Sequence, residues 1–221
     1  MTAIATSRCI ALSALLLASW TSVAFSQERT LYKVDPNNPL DRKAIIGLAR
    51  AAKAARLDTR SIRLATTDEF NAFYCGQGLF VAGKPLLNLP QWAVDAVMAH
   101  EVGHMVSRHV ETKAALSTGV IAGLGILGAL VDQQNAQEGA RAGAQLGQTV
   151  VSFLAPKYTQ GQELQADAYA VRALRAAGYK QPGDTMAQAL ALIERNTGPS
   201  GGGFFDTHPS FEDRIRKLRG K

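Results

Sequence analysis

Three of the chain's four histidines fall within residues 98–109, "MAHEVGHMVSRH". His100 and His104 are four apart, which on a helix sets them one turn apart on one face, close enough to share a metal ion. Glu101 is turned about 100 degrees from His100, so its carboxylate sits beside such a metal rather than on it. From there it can take a proton from a zinc-held water, whose pKa falls to about 7 while the metal polarises a carbonyl. Val97, Met98, Val102, Met105 and Val106 surround the motif. A helix this apolar is largely buried, and its histidines then need partners other than water.

A catalytic zinc takes three protein ligands and keeps a fourth position open. The stretch "QELQADAYAVRAL", residues 162–174, offers Glu163 and Asp167 four apart on one face of a small-residue helix that can approach the first closely. Glu163 can complete the ligand set, and Asp167, one turn on, can accept the second ring N–H of a zinc histidine and fix its orientation. Glu111, Asp132 and Glu138 are competing acids downstream of the motif.

The elements that must position these residues follow from periodicity. Residues 40–57 carry Ile45, Ile46, Leu48, Ala49, Ala52 and Leu57 at helical spacing, which predicts one buried face. Residues 27–39, with "DPNNP", form an extended lead-in. Between 61 and 89 the pattern changes to alternation and to aromatic and β-branched runs broken by glycine, giving two to four short strands. Pro90 opens the helix that carries the motif, expected over 91–111, and further helices are expected over 158–177, 182–195 and 209–218. "NTGPSGGG", residues 196–203, is a loop by composition. The uncharged run 119–131 is shorter than the roughly 20 residues a membrane-spanning helix needs. It is read as a buried or covering helix within a 119–146 Gly/Ala-rich segment, with an interfacial membrane contact as the alternative.

Residues 1–26 read as a cleavable signal peptide, with Arg8, an uncharged run, and small residues at the cleavage site. A retained anchor is the other reading, and the shortness of the run disfavours it. Residues 27–221 are then expected to form a single domain in the periplasm. Cys9 leaves with the leader, so Cys75 stands alone and no internal disulfide forms. The net charge of +6 is spread over the helices and bunches only at the C-terminal "RIRKLRGK", a solvated face rather than a nucleic-acid site.

In order and context, His100-Glu101-Val102-Gly103-His104, then Glu163 with Ala166-Asp167, then Thr207-His208-Pro209 resemble the CAAX-prenyl-protease and HtpX-like zinc metallopeptidases. This gluzincin-type group has Oma-type and BepA/LoiP-like branches. "NAF" ahead of a strand and "RH" at 108–109 extend the likeness over about 71–218. The resemblance implies an α+β, mostly helical fold, with a small edge β-sheet packed on a zincin-type active-site helix pair. It implies one zinc ion on His100, His104 and Glu163, Glu101 as general base, and Asp167 behind a ligand. Leu79, Phe80 and Val81 correspond to the edge strand that holds an extended peptide. His208 falls near the active site, either stabilising an oxyanion or occupying the open zinc position at rest, with a packed histidine before Pro209 as the structural alternative. Arg214 either pairs with an acid there or lies on the surface.

"PQWAVDAV" and "YTQGQE" depart from the family's usual runs without touching a ligand, so they bear on substrate preference. Lacking the several spanning segments of the HtpX branch, the chain resembles the compact, exported branch. The expected activity is a periplasmic zinc endopeptidase acting on misfolded or misassembled envelope proteins. A chaperone-like client-binding protein with a latent zinc site is the alternative. Polypeptide substrates are the implied partners, and peripheral contact with the membrane or with outer-membrane assembly proteins is a further expectation.

Overall fold

The computed structural model describes residues 30–112, 137, 158–197, 208 and 211–220. The signal-peptide reading of 1–26, the 119–146 segment and the 196–203 loop fall wholly or mostly outside these residues. In chain order the described elements are β1 (Tyr32–Lys33), α1 (Pro39–Ala54), β2 (Arg63–Thr67), β3 (Ala72–Tyr74), β4 (Leu79–Gly83), α2 (Lys84–Leu87), α3 (Gln91–Val106), α4 (Gln160–Ala176), α5 (Pro182–Thr197) and α6 (Phe211–Leu218). The architecture is α+β and mostly helical, as expected.

Helix α3 is the centre. Every residue from Ala93 to His104 is buried, because α1, α4, α5 and strand β3 cover it on all sides. Helix α1 starts where Asn38 accepts from the backbone N–H groups of Leu40 and Asp41, with Pro39 in the first turn. It lays Ala44, Gly47, Leu48, Ala51 and Ala52 on the core. Asp95 of α3 ties the scaffold together, accepting from Arg50 of α1, from Gln91 at 2.7 Å and from the Tyr179 hydroxyl at 2.7 Å. These partners satisfy a buried carboxylate that would otherwise be costly.

Helix α4 crosses α3 at small residues. Gly103 makes this approach workable: a Cβ there would lie 2.8 Å from Ala166 Cα and 2.8 Å from its carbonyl oxygen. A capping box starts α4, with the Gln162 N–H donating to Thr159 Oγ1 and the Thr159 N–H to Gln162 Oε1. Glu163 therefore falls in the first turn, where the helix dipole favours its negative charge.

The sheet order is β1-β2-β4-β3, with β2 and β4 parallel and the outer pairs antiparallel. This corrects the expected edge strand. Leu79, Phe80 and Val81 lie in β4, inside the sheet, where Arg63–Thr67 pair along one side and Ala72–Tyr74 along the other. Their backbone groups are engaged on both sides, so the edge facing α3 is β3. "KPLL", read with the strand region, is instead a helical turn with proline near its start. The motif helix also ends sooner than 111. Ser107 is its C-cap, Arg108 takes a left-handed φ of 54°, and a new turn follows in which Thr112 donates to the Arg108 carbonyl.

Candidate active site

Helix α3 presents His100 and His104 from one face, α4 presents Glu163 and Asp167, and His208 and Arg214 arrive from the C-terminal part of the chain. All six are buried. One ligand atom from each of His100, His104, Glu163 and His208 lies within 4.8 Å of the others. His100 Nε2 is 3.0 Å from His104 Nε2 and 3.4 Å from His208 Nδ1. Glu163 Oε1 is 3.0 Å from His208 Nδ1 and 3.4 Å from His104 Nε2. Four potential ligand atoms, three imidazole nitrogens and a carboxylate oxygen, thus converge on one buried point. The spacings bracket the roughly 3.3 Å edge of a tetrahedron with zinc-length bonds, so the donor set fits a zinc ion.

Glu101 sits beside this point rather than in it. Its Oε2 accepts the Tyr74 N–H of β3 at 2.9 Å, and its Oε1 lies 3.4 Å from His208 Nε2. Burial pushes its carboxyl up to about 8. Asp167 Oδ1 is 2.9 Å from His100 Nδ1, placed to accept that N–H. Arg214 donates from Nε to Asp167 Oδ2 at 2.8 Å and from Nη2 to Oδ1 at 2.6 Å, and its Nη1 lies 2.5 Å from Glu163 Oε2. One guanidinium therefore braces both acids of α4.

The charges follow from these contacts. Burial and Arg214 oppose protonation of His100, but Glu163 and Asp167 outweigh them and lift its pKa to about 9. Burial drives His104 well below the ordinary histidine value and His208 down to about 4. It also opposes a charge on Glu163, yet the facing His208 and His100 hold that carboxyl well below the usual carboxylate range. Burial likewise disfavours ionised Asp167, and Arg214 more than compensates.

The sequence-predicted His100, Glu101, His104, Glu163, Asp167 and His208 all converge here, and of the two readings of Arg214 the buried acid pair is the one found. Leu79, Phe80 and Val81 do not join them. Two residues were missed. His109, which a continuous helix would put on another face, returns over the break at Arg108 so that its Nδ1 lies 2.8 Å from His104 Nδ1. Tyr158 stacks on the His104 ring, centroids 3.7 Å apart and planes 20° apart. The "RH" pair was a visible signal for the first, and nothing in the sequence pattern marked the second.

Two histidines one turn apart with an acid between them, crossed by an acid-bearing helix and bordered by a sheet edge, form the site of a metallopeptidase. Residues 41–221 match Peptidase family M48. The chain belongs to that family and is a metallopeptidase. It is 28% identical over 203 residues to the metalloprotease LoiP of Escherichia coli strain K12, covering 81% of this chain and 75% of that one. A protease HtpX homolog of Leptothrix cholodnii is 28% identical over 216 residues, covering 84% and 74%. Protease HtpX of a Psychrobacter species is 28% identical over 241 residues, covering 93% and 78%. Among the described residues no helix is long and apolar enough to cross a membrane.

Proposed function

We propose that this chain is a zinc endopeptidase of the periplasm that cuts misfolded or misassembled envelope proteins. The observation that carries the chemistry is the meeting of His100 Nε2, His104 Nε2 and a Glu163 carboxylate oxygen at one buried point with Glu101 alongside. His100, His104 and Glu163 would hold zinc, which supplies an acidified water and polarises the scissile carbonyl. Glu101 takes the proton in the attack and returns it to the leaving amine. Its place beside the donor atoms rather than among them, with Oε2 held by the Tyr74 N–H, suits this carboxylate to carrying that proton between the two steps. Asp167, held by Arg214, keeps the Nδ1–H of His100 turned outward and its Nε2 toward the metal.

The substrate is taken to add to β3 as an extended strand. Asn71 and Cys75 bond to β4, so the intervening Ala72 and Tyr74 turn their backbone groups away from it, the Ala72 N–H onto Asn71 Oδ1 at 2.8 Å. The outward Tyr74 N–H meets Glu101, which brings a chain bound along β3 past the base. The periplasmic assignment rests on the leader-like residues 1–26 and on the resemblance to the exported branch.

A second reading, a client-binding protein with a latent zinc site, draws support from His208. Its Nδ1 lies 3.4 Å from His100 Nε2 and 3.0 Å from Glu163 Oε1, distances that favour a fourth ligand closing the open position over an oxyanion donor. The test is zinc content and cleavage of an unfolded protein by the mature chain and by Glu101→Gln. One zinc in both with cleavage only by the parent is expected. A zinc-loaded parent that suppresses client aggregation and cuts nothing establishes the second reading.

A further inference from the structure

The two zinc-facing histidines are held from behind by different means. His100 backs onto a charged pair, Asp167 and Arg214. His104 backs onto another imidazole: its Nδ1 lies 2.8 Å from His109 Nδ1, and His109 Nε2 lies 2.9 Å from Gln165 Oε1. His104 and His109 are buried, and Gln165 ends the row on the exposed side of α4.

An imidazole cannot ligate through a nitrogen that carries a proton, so ligation by His104 Nε2 places its proton on Nδ1. That N–H then points at His109 Nδ1, which must accept, so His109 carries its own proton on Nε2. The Nε2–H of His109 in turn needs an acceptor, and Gln165 Oε1 stands there. Within this row the role of each group is set by the one before it. Reversing Gln165 to present its amide N–H would reverse the row and put a proton on His104 Nε2, inside the pocket.

Given the zinc reading above, we infer that His109 and Gln165 form a neutral hydrogen-bond relay that fixes the metal-binding tautomer of His104. His109 is a positioning residue: it acts through His104 and touches neither metal nor substrate. The break at Arg108 is what builds it. On a continuous helix His109 would lie five residues past His104 and point away, whereas the left-handed φ of 54° at Arg108 folds the next turn back onto the ligand. The relay also ties His104 to α4 through Gln165, as Asp167 ties His100, so each zinc histidine has its own brace onto the helix that supplies Glu163.

The test compares the parent with His109→Leu, His109→Asn and Gln165→Glu by two measurements. One is the zinc dissociation constant from chelator competition. The other is the ¹⁵N resonances of the His104 ring in the metal-free protein. Asparagine can place an amide oxygen near the former Nδ1 position, and glutamate at 165 keeps an acceptor that cannot turn into a donor. The parent, His109→Asn and Gln165→Glu are expected to show His104 protonated at Nδ1 and to bind zinc with similar affinity. His109→Leu is expected to mix the two tautomers and to bind zinc about 10–100-fold more weakly. Parent-like affinity in His109→Leu, equal losses in His109→Asn and His109→Leu, or an Nε2–H tautomer in the parent overturns the relay. If His109→Leu does not fold by circular dichroism, Gln165→Met replaces it with the same expected direction and the same overturning result. A parent that binds no zinc removes the zinc reading instead, and the metal-free spectrum then decides the relay by itself.

Discussion

Arg214 grips Asp167 with two parallel hydrogen bonds, Nε to Oδ2 at 2.8 Å and Nη2 to Oδ1 at 2.6 Å, in a fully enclosed setting. This bidentate fork is a geometry only arginine provides. It fixes the carboxylate that faces His100 Nδ1 and joins α6 to α4.

Arg214→Met is predicted to strip the counter-charge from two buried carboxylates, Asp167 and Glu163. Breaking a buried pair from one side costs about 3–5 kcal/mol. Arg214→Lys keeps the charge but loses the fork, so it should fall between the two. Denaturant unfolding of the metal-free chain measures both, and equal stability of all three forms would contradict the bracing role.

Gly103→Ala tests the helix crossing. The added carbon would meet Ala166 Cα and carbonyl oxygen, both backbone, at 2.8 Å, so α3 and α4 must separate. Overpacking of this kind costs about 1–3 kcal/mol. Because the displaced helix carries Glu163 and Asp167, zinc affinity should fall together with the unfolding midpoint. Loss of stability with unchanged zinc affinity would mean that the ligands do not depend on the crossing.

Legibility in the sequence was uneven for a physical reason. Spacings of four on a helix are periodic, so the pairing of His100 with His104, and of Glu163 with Asp167, is legible from the sequence alone. Strand order carries no such period. Nothing local in Leu79, Phe80 and Val81 tells that β4 slips between β2 and β3 rather than lying at the edge. The turn of His109 depended on a left-handed conformation at Arg108, a residue type that does not announce one. His208 and Arg214 meet the other four only through tertiary packing, so family resemblance, not spacing, brought them in.

The pH dependence of the metal-free fold has a sign that His208 sets in part. Burial lowers its pKa from 6.5 to about 4, so between those values the unfolded chain takes a proton that the native chain refuses. This group therefore leaves stability intact above pH 6.5 and reduces it progressively as pH falls toward 4. His208→Ala should show a shallower loss across that window than the parent, read from unfolding midpoints at stepped pH. Identical slopes would place the histidine in solvent.

His208 also decides between a resting enzyme and an open one. With Nδ1 facing Glu163 and His100, and Nε2 at 3.4 Å from Glu101 Oε1, the ring lies between the metal-facing atoms and the carboxylate of Glu101. A fourth ligand there excludes substrate until it leaves, so removing it should weaken zinc binding yet raise cleavage of an unfolded protein. An oxyanion donor has the opposite signature: its loss leaves zinc in place and lowers kcat, by about 10²–10³-fold in sites of that type. Measuring zinc affinity and kcat together on His208→Ala separates the two, because only the ligand role moves them in opposite senses. Glu101→Gln is the control, since it removes the base, with an expected loss of about 10²–10⁴-fold, and leaves all four metal-facing atoms as they are.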